Sequence, residues 1–515
     1  MPLSGLHLDS HRLGGPLPVW RATVDGHQWL AAARTVAAGS GRMLALWGVD
    51  RARNGAPALV VCAAYAVREG LYWLELPLGG QSGYPDLAHV FPFAGRMQRA
   101  TADLLGIVAE GAEDQRPWFN HGAWPGEYRP LRRGAAATAV APLPLQDYPF
   151  VRVEGDGVHE IPVGPVHAGT IEPGHFRFSV VGEKVLRLEE RLGYKHKGIE
   201  QRFMGMPALE GHRLAGRVCG DSTVAFAWAY CMALEGALGI ELPPRAQWLR
   251  AILLERERVA NHLGDLGALG NDAALGFGLA QFSRLREDWL RLSQNLFGHR
   301  LTMDGVVPGG VAVDLDAAAR ERLRRQCDEV ETEVRTLAAI YESHAGLQDR
   351  FATTGIVTPA LAAQLGLTGL AARASGRTTD LRCDQPWPPY DGLRVVAAAE
   401  QAGDVAARAA VRFHEVFESL RLIRALCAGL PAGPARAAEP PPRRAGAGAG
   451  RTEGWRGEVF VALELAEDGS VARCHCHDPS WQNWPVLEHA IIGNIVPDFP
   501  LINKSFNLSY AGHDL

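Results

Sequence analysis

Several broad classes are excluded by what this 515-residue chain lacks. It has no run of about 18 or more apolar residues, so no segment reads as a membrane-spanning helix. Its opening stretch, MPLSGLHLDSHRLGG, has no basic segment followed by an apolar one, so no secretory signal is expected there. It has no large excess of either charge. A formal net charge of −5 implies neither a nucleic acid nor an anionic lipid surface as partner. Cysteine is scarce: eight residues with no framework spacing fit a reducing compartment, not a disulfide scaffold. No G-x-G-x-x-G follows a strand, so a nicotinamide cofactor would have to bind another chain. No G-x-S-x-G elbow is present for a serine hydrolase.

What is present reads as an α+β protein: a small α/β domain, then a large, mainly helical domain with small peripheral sheets. In residues 1–131, LVVCAAYAV and LYWLELPL have the short apolar runs of paired strands, and RMQRATADLLGIV has helical spacing. Residues 132–149 are rich in alanine and proline and read as a linker. The second domain spans 150–515. Its first 45 residues alternate and carry Gly/Pro turns, as a small sheet does. Helical patterns follow from PPRAQWLRAILLERERVANHLGDLG, with a proline at the first turn, and from DLDAAARERLRRQ, with an aspartate N-cap. A third helix is expected over about 393–428. The stretch 431–450 reads as a low-complexity loop. GEVFVALELAEDGSVARCHCH reads as a hairpin turning at Asp468-Gly469.

Two short stretches invite a metal. In RVCGDS, Cys219 precedes a glycine turn, but Ser222 stands where a thiolate pair would place its second cysteine. Asp221 or Ser222 is suited to cap the helix that follows, and Ala225, Ala227, Ala229, Ala233 and Ala237 would let other helices approach closely. In CHCHD, Cys474 to Asp478, a strand puts both thiols on one face and both imidazoles on the other. One tetrahedral zinc cannot easily gather all four.

From about residue 160 onward, GPVHAGTIEPGHFRF, LGYKHKGIE, RVCGDS, ERERVANHLGDLG, RASGRTTDLRCDQPWPPYD, EGWRGE and DPSWQNWPVLEHAIIGNIVPDFPLINKSFNLSYAG occur in one order. In these stretches the chain resembles the large subunit shared by energy-converting, membrane-bound nickel–iron hydrogenases of the formate hydrogenlyase type and by respiratory complex I, where it is the large quinone-site subunit. YPDLAHVFPFAGRMQRATADLLGIVAEG more weakly resembles the small peripheral-arm subunit of complex I that precedes it in fused members. There Arg96, Gln98, Arg99 and Ala100 replace an acidic and aromatic pattern.

The resemblance implies a soluble large subunit at the cytoplasmic face of the inner membrane. It would pack against a small subunit that holds a four-iron–four-sulfur cluster and against membrane-embedded subunits. The hydrogenases hold nickel and iron with four thiolates. Here the corresponding positions are Cys219, Ser222, Ser480 and Asn483, and Phe226 replaces a histidine. One thiolate of four does not suit two soft metals, so no metal and no cofactor is expected on this chain. Glu172 matches a proton-transferring glutamate, expected in an apolar cavity with a raised pKa. Arg456 matches an arginine that overhangs the metals. His167 and His175 match the hairpin lining the quinone pocket. Asn261 and His262 are further cavity candidates, whereas Asp380 and Arg382 read as buried ion-pair partners, with Asp391 in the same stretch. Three roles follow: an oxidoreductase subunit passing electrons to a quinone or similar acceptor with proton movement, a non-catalytic coupling subunit, or an active hydrogenase.

Overall fold

The computed structural model describes residues 6–51, 58–135, 147–166, 171–438 and 444–515. The N-terminal unit is built on a five-stranded sheet. Strands Ser10–Arg12, Val19–Thr23, Gly70–Pro77, Leu59–Val67 and Arg42–Asp50 lie side by side in that order, antiparallel except for the Val19–Thr23/Gly70–Pro77 pair. Helix Gly26–Ala38 begins at a full capping box between Asp25 and Gln28. Helix Ala94–Leu105 ends at Gly106, whose φ of +69° suits glycine.

The second unit opens with an antiparallel sheet of Val158–Val163, His175–Val181 and Lys184–Arg191. Long helices follow: Thr223–Leu238, Pro244–Asp272, Gly276–Phe297, Ala317–Ser343 and Val405–Gly429. Pro244 occupies the first turn of its helix, and the Asp316 carboxylate accepts the Ala319 N–H. The helix expected from about 393 starts only at Val405. Gly403, with φ of +66°, turns the chain there, and the Asp404 side chain caps the new helix.

The stretch 431–450 differs from expectation in its second half. Residues 439–443 lie outside the described ones, and Gly446–Glu453 is a strand. It pairs with Glu458–Leu465, which pairs with Val471–His477 across the Asp468-Gly469 turn. The glycine alternation has a packing cause. A Cβ on Gly448 or Gly450 would run into the Ala233 or Ala229 carbonyl of helix Thr223–Leu238. That helix's alanines therefore admit a strand, not another helix, and Thr452 Oγ1 donates to the Ala225 carbonyl at 3.0 Å.

The two units share apolar surface. Trp47 and Trp73 from the first pack with Phe460 and Ala462 from the second, and the Trp47 ring stacks on His475 at 4.8 Å. Arg96, on helix Ala94–Leu105, reaches across to Glu190 at 3.2 Å and Glu488 at 2.8 Å. Gln98 and Arg99 stay within the N-terminal side, bonding to Asp86 and to Asp114.

Candidate functional site

The four positions that would carry thiolates are all buried. Cys219 lies in the turn before helix Thr223–Leu238. Its thiol donates to Asp221 Oδ1 at 2.9 Å and sits 2.9 Å from Ser509 Oγ. Burial pushes that thiol's pKa well up, and the neighbouring Asp221 charge adds to the shift. Ser480 Oγ accepts the Ser509 N–H at 2.8 Å. Asn483 pairs with the backbone of Thr368, accepting its N–H at 3.0 Å and donating to its carbonyl at 3.2 Å. Ser222 accepts from Arg456 Nη1 at 3.2 Å.

Arg456 closes this knot. Its guanidinium meets Asp221 through two bonds of 2.6 Å each, and its Nε donates to the Asn507 carbonyl. Burial alone would favour a neutral Asp221, but Arg456 outweighs it and holds the carboxyl below its ordinary range. The Trp455 indole donates to the Asp221 carbonyl at 2.9 Å, as does Asn261 Nδ2 at 2.7 Å. The donor set is one neutral thiol, two hydroxyls and an amide, each bonded to protein. It does not fit a thiolate-bound pair of soft metals. Beside them, Asp221, Glu257 and Asn261 line a small hollow. A cleft of about 730 Å³ lies elsewhere, between the units, lined by Arg96, Arg99, Trp118, Tyr148 and Glu190.

Several expected details are corrected. Neither Asp221 nor Ser222 caps helix Thr223–Leu238 with its side chain. Glu257, from helix Pro244–Asp272, reaches across instead and accepts the N–H groups of Val224 at 2.6 Å and Ala225 at 3.2 Å. Burial raises the Glu257 pKa to about 8. Glu172 is not enclosed in an apolar cavity. Its side chain is 39% exposed, lies 3.7 Å from Lys195 Nζ, and accepts the Ala511 N–H at 3.0 Å. His262 is not a cavity residue. It is fully buried, and its Nε2 bonds to Glu415 at 2.8 Å in the helical core.

His175 starts its strand behind the hairpin, with Nδ1 donating to the Gly164 carbonyl at 3.2 Å and its ring 5.1 Å from Phe150. Burial lowers its pKa, so the ring is neutral at neutral pH. His167 lies outside the described residues. Asp380 and Arg382 form a buried pair at 2.7 Å, and Asp391 is exposed. On the CHCHD strand the two thiols are 4.0 Å apart. His475 bonds to Glu200 at 2.6 Å and His477 to Gln482 at 3.0 Å.

The structure thus gathers Cys219, Ser222, Arg456 and Asn261 around Asp221, with Ser480 joined to them through Ser509, and Glu172 at the rim. Sequence reasoning missed Asp221 as the centre, Glu257 as the cap and Ser509 as the link. An aspartate two residues after Cys219 was the available signal.

Residues 274–445 match the family described as respiratory-chain NADH dehydrogenase, 49 Kd subunit, and residues 22–140 match its 30 Kd subunit. The chain is 33% identical over 439 residues to formate hydrogenlyase subunit 5 of Escherichia coli, covering 84% of this chain and 77% of that one. It is 27% identical over 412 residues to the C/D subunit of NADH-quinone oxidoreductase from Bacteroides thetaiotaomicron, covering 76% and 77%. Among solved structures, a chain of the membrane-bound sulfane sulfur reductase, an archaeal respiratory membrane complex, superposes with a TM-score of 0.66 at 24% identity, covering 70% of this chain and 99% of that one.

Proposed function

The chain belongs to the large-subunit family shared by membrane-bound hydrogenases and NADH-quinone oxidoreductases, and on that premise we propose that it works in such a complex without a nickel–iron centre. It takes part in electron transfer to a quinone or similar organic acceptor, coupled to proton movement. The carrying observation is the knot at Asp221: where thiolates would bridge metals, a neutral thiol, two hydroxyls and an amide are each bonded to other protein groups around an arginine–aspartate pair.

Electrons would arrive from a four-iron–four-sulfur cluster in a partner small subunit. Membrane-embedded partners would carry the proton, because no described helix is long and apolar enough to cross a membrane. The chain would then sit on the cytoplasmic face of the inner membrane. The acceptor would lie at a mouth beside His175, Glu172 and Lys195. Neutral His175 has a buried Nε2 without a partner among the described residues, which can take up a proton. Glu172 and Lys195 can pass one between solvent and the mouth. Arg456 fixes the inner wall.

The test is metal content and activity of the purified intact complex. Iron in cluster multiples, no nickel and reduction of a water-soluble quinone are expected. One nickel per chain would overturn the proposal. The second reading is a coupling subunit without chemistry of its own, favoured by the hydrogen bonds that occupy every position where a thiolate would bind metal. Quinone reduction that survives His175→Ala and Glu172→Gln together, but is lost without the chain, would select it.

A further inference from the structure

Behind the knot, four carboxylates and three guanidiniums are sealed in the helical core. Arg373 bonds to Glu415 at 2.7 Å and to Glu453 at 2.9 Å. Arg382 bonds to Asp380 at 2.7 Å and to Glu255 at 3.0 Å. Arg258 approaches Glu255 and Glu415 at 3.4 Å. Every one of these side chains is at most 3% exposed. Acids outnumber arginines by one, and a net buried charge is costly. The outer neighbours do not settle it. Arg42 and Arg451 pair with Glu458, with Asp384 close by, and Arg412 pairs with Asp265.

The cluster therefore takes up a proton, and the donors around each acid show where. Glu255 accepts from Arg382, Tyr390 Oη and Ser419 Oγ, with Arg258 beside it. Asp380 accepts from the Arg382 guanidinium through both oxygens. Glu415 accepts from Arg258, His262 and Arg373. Glu453 has one guanidinium contact and one backbone donor, the Leu381 N–H at 3.1 Å. It also faces the Asp380 charge, with Cys383 and Asp384 on the same segment and Arg42 beyond. His262 is not the carrier, because its Nδ1 has no partner and a buried imidazolium would need one.

We propose that Glu453 holds an exchangeable proton at neutral pH and that this four-carboxylate cluster is a proton-holding site built into the core. The electrostatics agree in direction: burial first, then Asp380, raise the Glu453 pKa to about 7, while Glu255, Asp380 and Glu415 are held below their ordinary values. Exposed Asp384 Oδ2 accepts the Asp380 N–H at 3.1 Å and marks the solvent side. On the other side, Arg258 donates to the carbonyls of Glu453 at 2.6 Å and Gly454 at 3.1 Å, clamping the segment that carries Trp455 and Arg456. A charge change on Glu453 is thereby felt at the Arg456–Asp221 pair. Its use in coupling rests on the function proposed above. The proton itself does not, so its test needs no turnover.

Infrared spectra of the intact complex recorded from pH 5 to 9 test it. A carboxylic-acid C=O band should disappear in a titration centred near pH 7, and that component should be missing in Glu453→Gln. A neutral amide mimics the neutral acid, so Glu453→Gln should fold with its Tm within about 2 °C of wild type. Glu415→Gln, which removes an ionised partner, should lower Tm by about 5 °C or more. Persistence of the band in Glu453→Gln, or failure of that variant to fold while Glu415→Gln is tolerated, overturns the assignment. A chain without nickel but also without the band would sink this inference and leave the proposed function standing.

Discussion

Asn261 and His262 are consecutive on one helix yet belong to different polar clusters. Asn261 donates to the Asp221 carbonyl in the knot, and His262 bonds to Glu415 in the core network. The knot is made of weak, mostly neutral groups, each satisfied locally, around a single ion pair. The network is made of charges that satisfy one another over long sequence distances. A set of soft-metal ligands can be replaced one residue at a time, because each serine or asparagine finds a hydrogen-bond partner in the surrounding protein. A buried ionic network cannot be thinned that way, because removing an arginine or an ionised acid leaves a charge without its complement. The two clusters should therefore answer substitution very differently.

The largest effect is expected at Arg373. It is fully buried and bonds to Glu415 and Glu453, with the Asp380 charge 3.9 Å away. Arg373→Leu leaves three acids short of a cation and should cost about 3–5 kcal/mol, read from denaturant unfolding of the full chain. A loss near 1 kcal/mol would mean that the acids simply protonate, and the network would be no stiffer than the knot.

Glu257 stands between the two regions, and its effect depends on pH. Its folded pKa of about 8 lies above the unfolded value near 4.5. Between those values the folded chain binds more protons than the unfolded one, so this residue's contribution falls as pH rises from 4.5 to 8 and is flat above that. The fall should approach about 5 kcal/mol, and Glu257→Gln should flatten it. An unchanged pH profile in that variant would show that the two backbone N–H groups keep Glu257 ionised throughout.

Much of this molecule was legible before its coordinates. The apolar run LVVCAAYAV, the proline at the start of Pro244–Asp272 and the Asp468-Gly469 turn each rest on local physics, and each lies where expected. The misses are non-local. Gly446, Gly448 and Gly450 look like low complexity, because the reason for them is the Ala229 and Ala233 backbone more than 200 residues away. The ERER run on Pro244–Asp272 has the composition of a wet helix face. Only the packing of helices Thr223–Leu238, Gly276–Phe297 and Val405–Gly429 and of the 373–384 segment shows that Glu255, Arg256, Glu257 and Arg258 are all buried. In the site, the loss of thiolates was readable position by position. That the survivors would close around Asp221 was not, since Arg456, Ser509 and Asn261 come from three distant segments.

Within the knot, the arginine–aspartate pair should outweigh the thiol. Asp221→Asn keeps one acceptor but removes the charge facing buried Arg456, and a cost of about 2 kcal/mol is expected. Cys219→Ala removes three polar contacts and a small apolar volume, and the groups it leaves are still served: Asp221 and Arg456 by each other, and Ser509 Oγ by the Gly512 N–H at 2.8 Å. About 1 kcal/mol or less should be lost. Metal content of the complex should not change at all, because a protonated thiol bonded to a carboxylate holds nothing soft. If Cys219→Ala instead released a metal from the purified complex, the surviving cysteine would be a ligand in its own right. The knot would then have to be redrawn as a metal site with unfamiliar partners, and its contrast with the ionic core would narrow to a difference in charge alone.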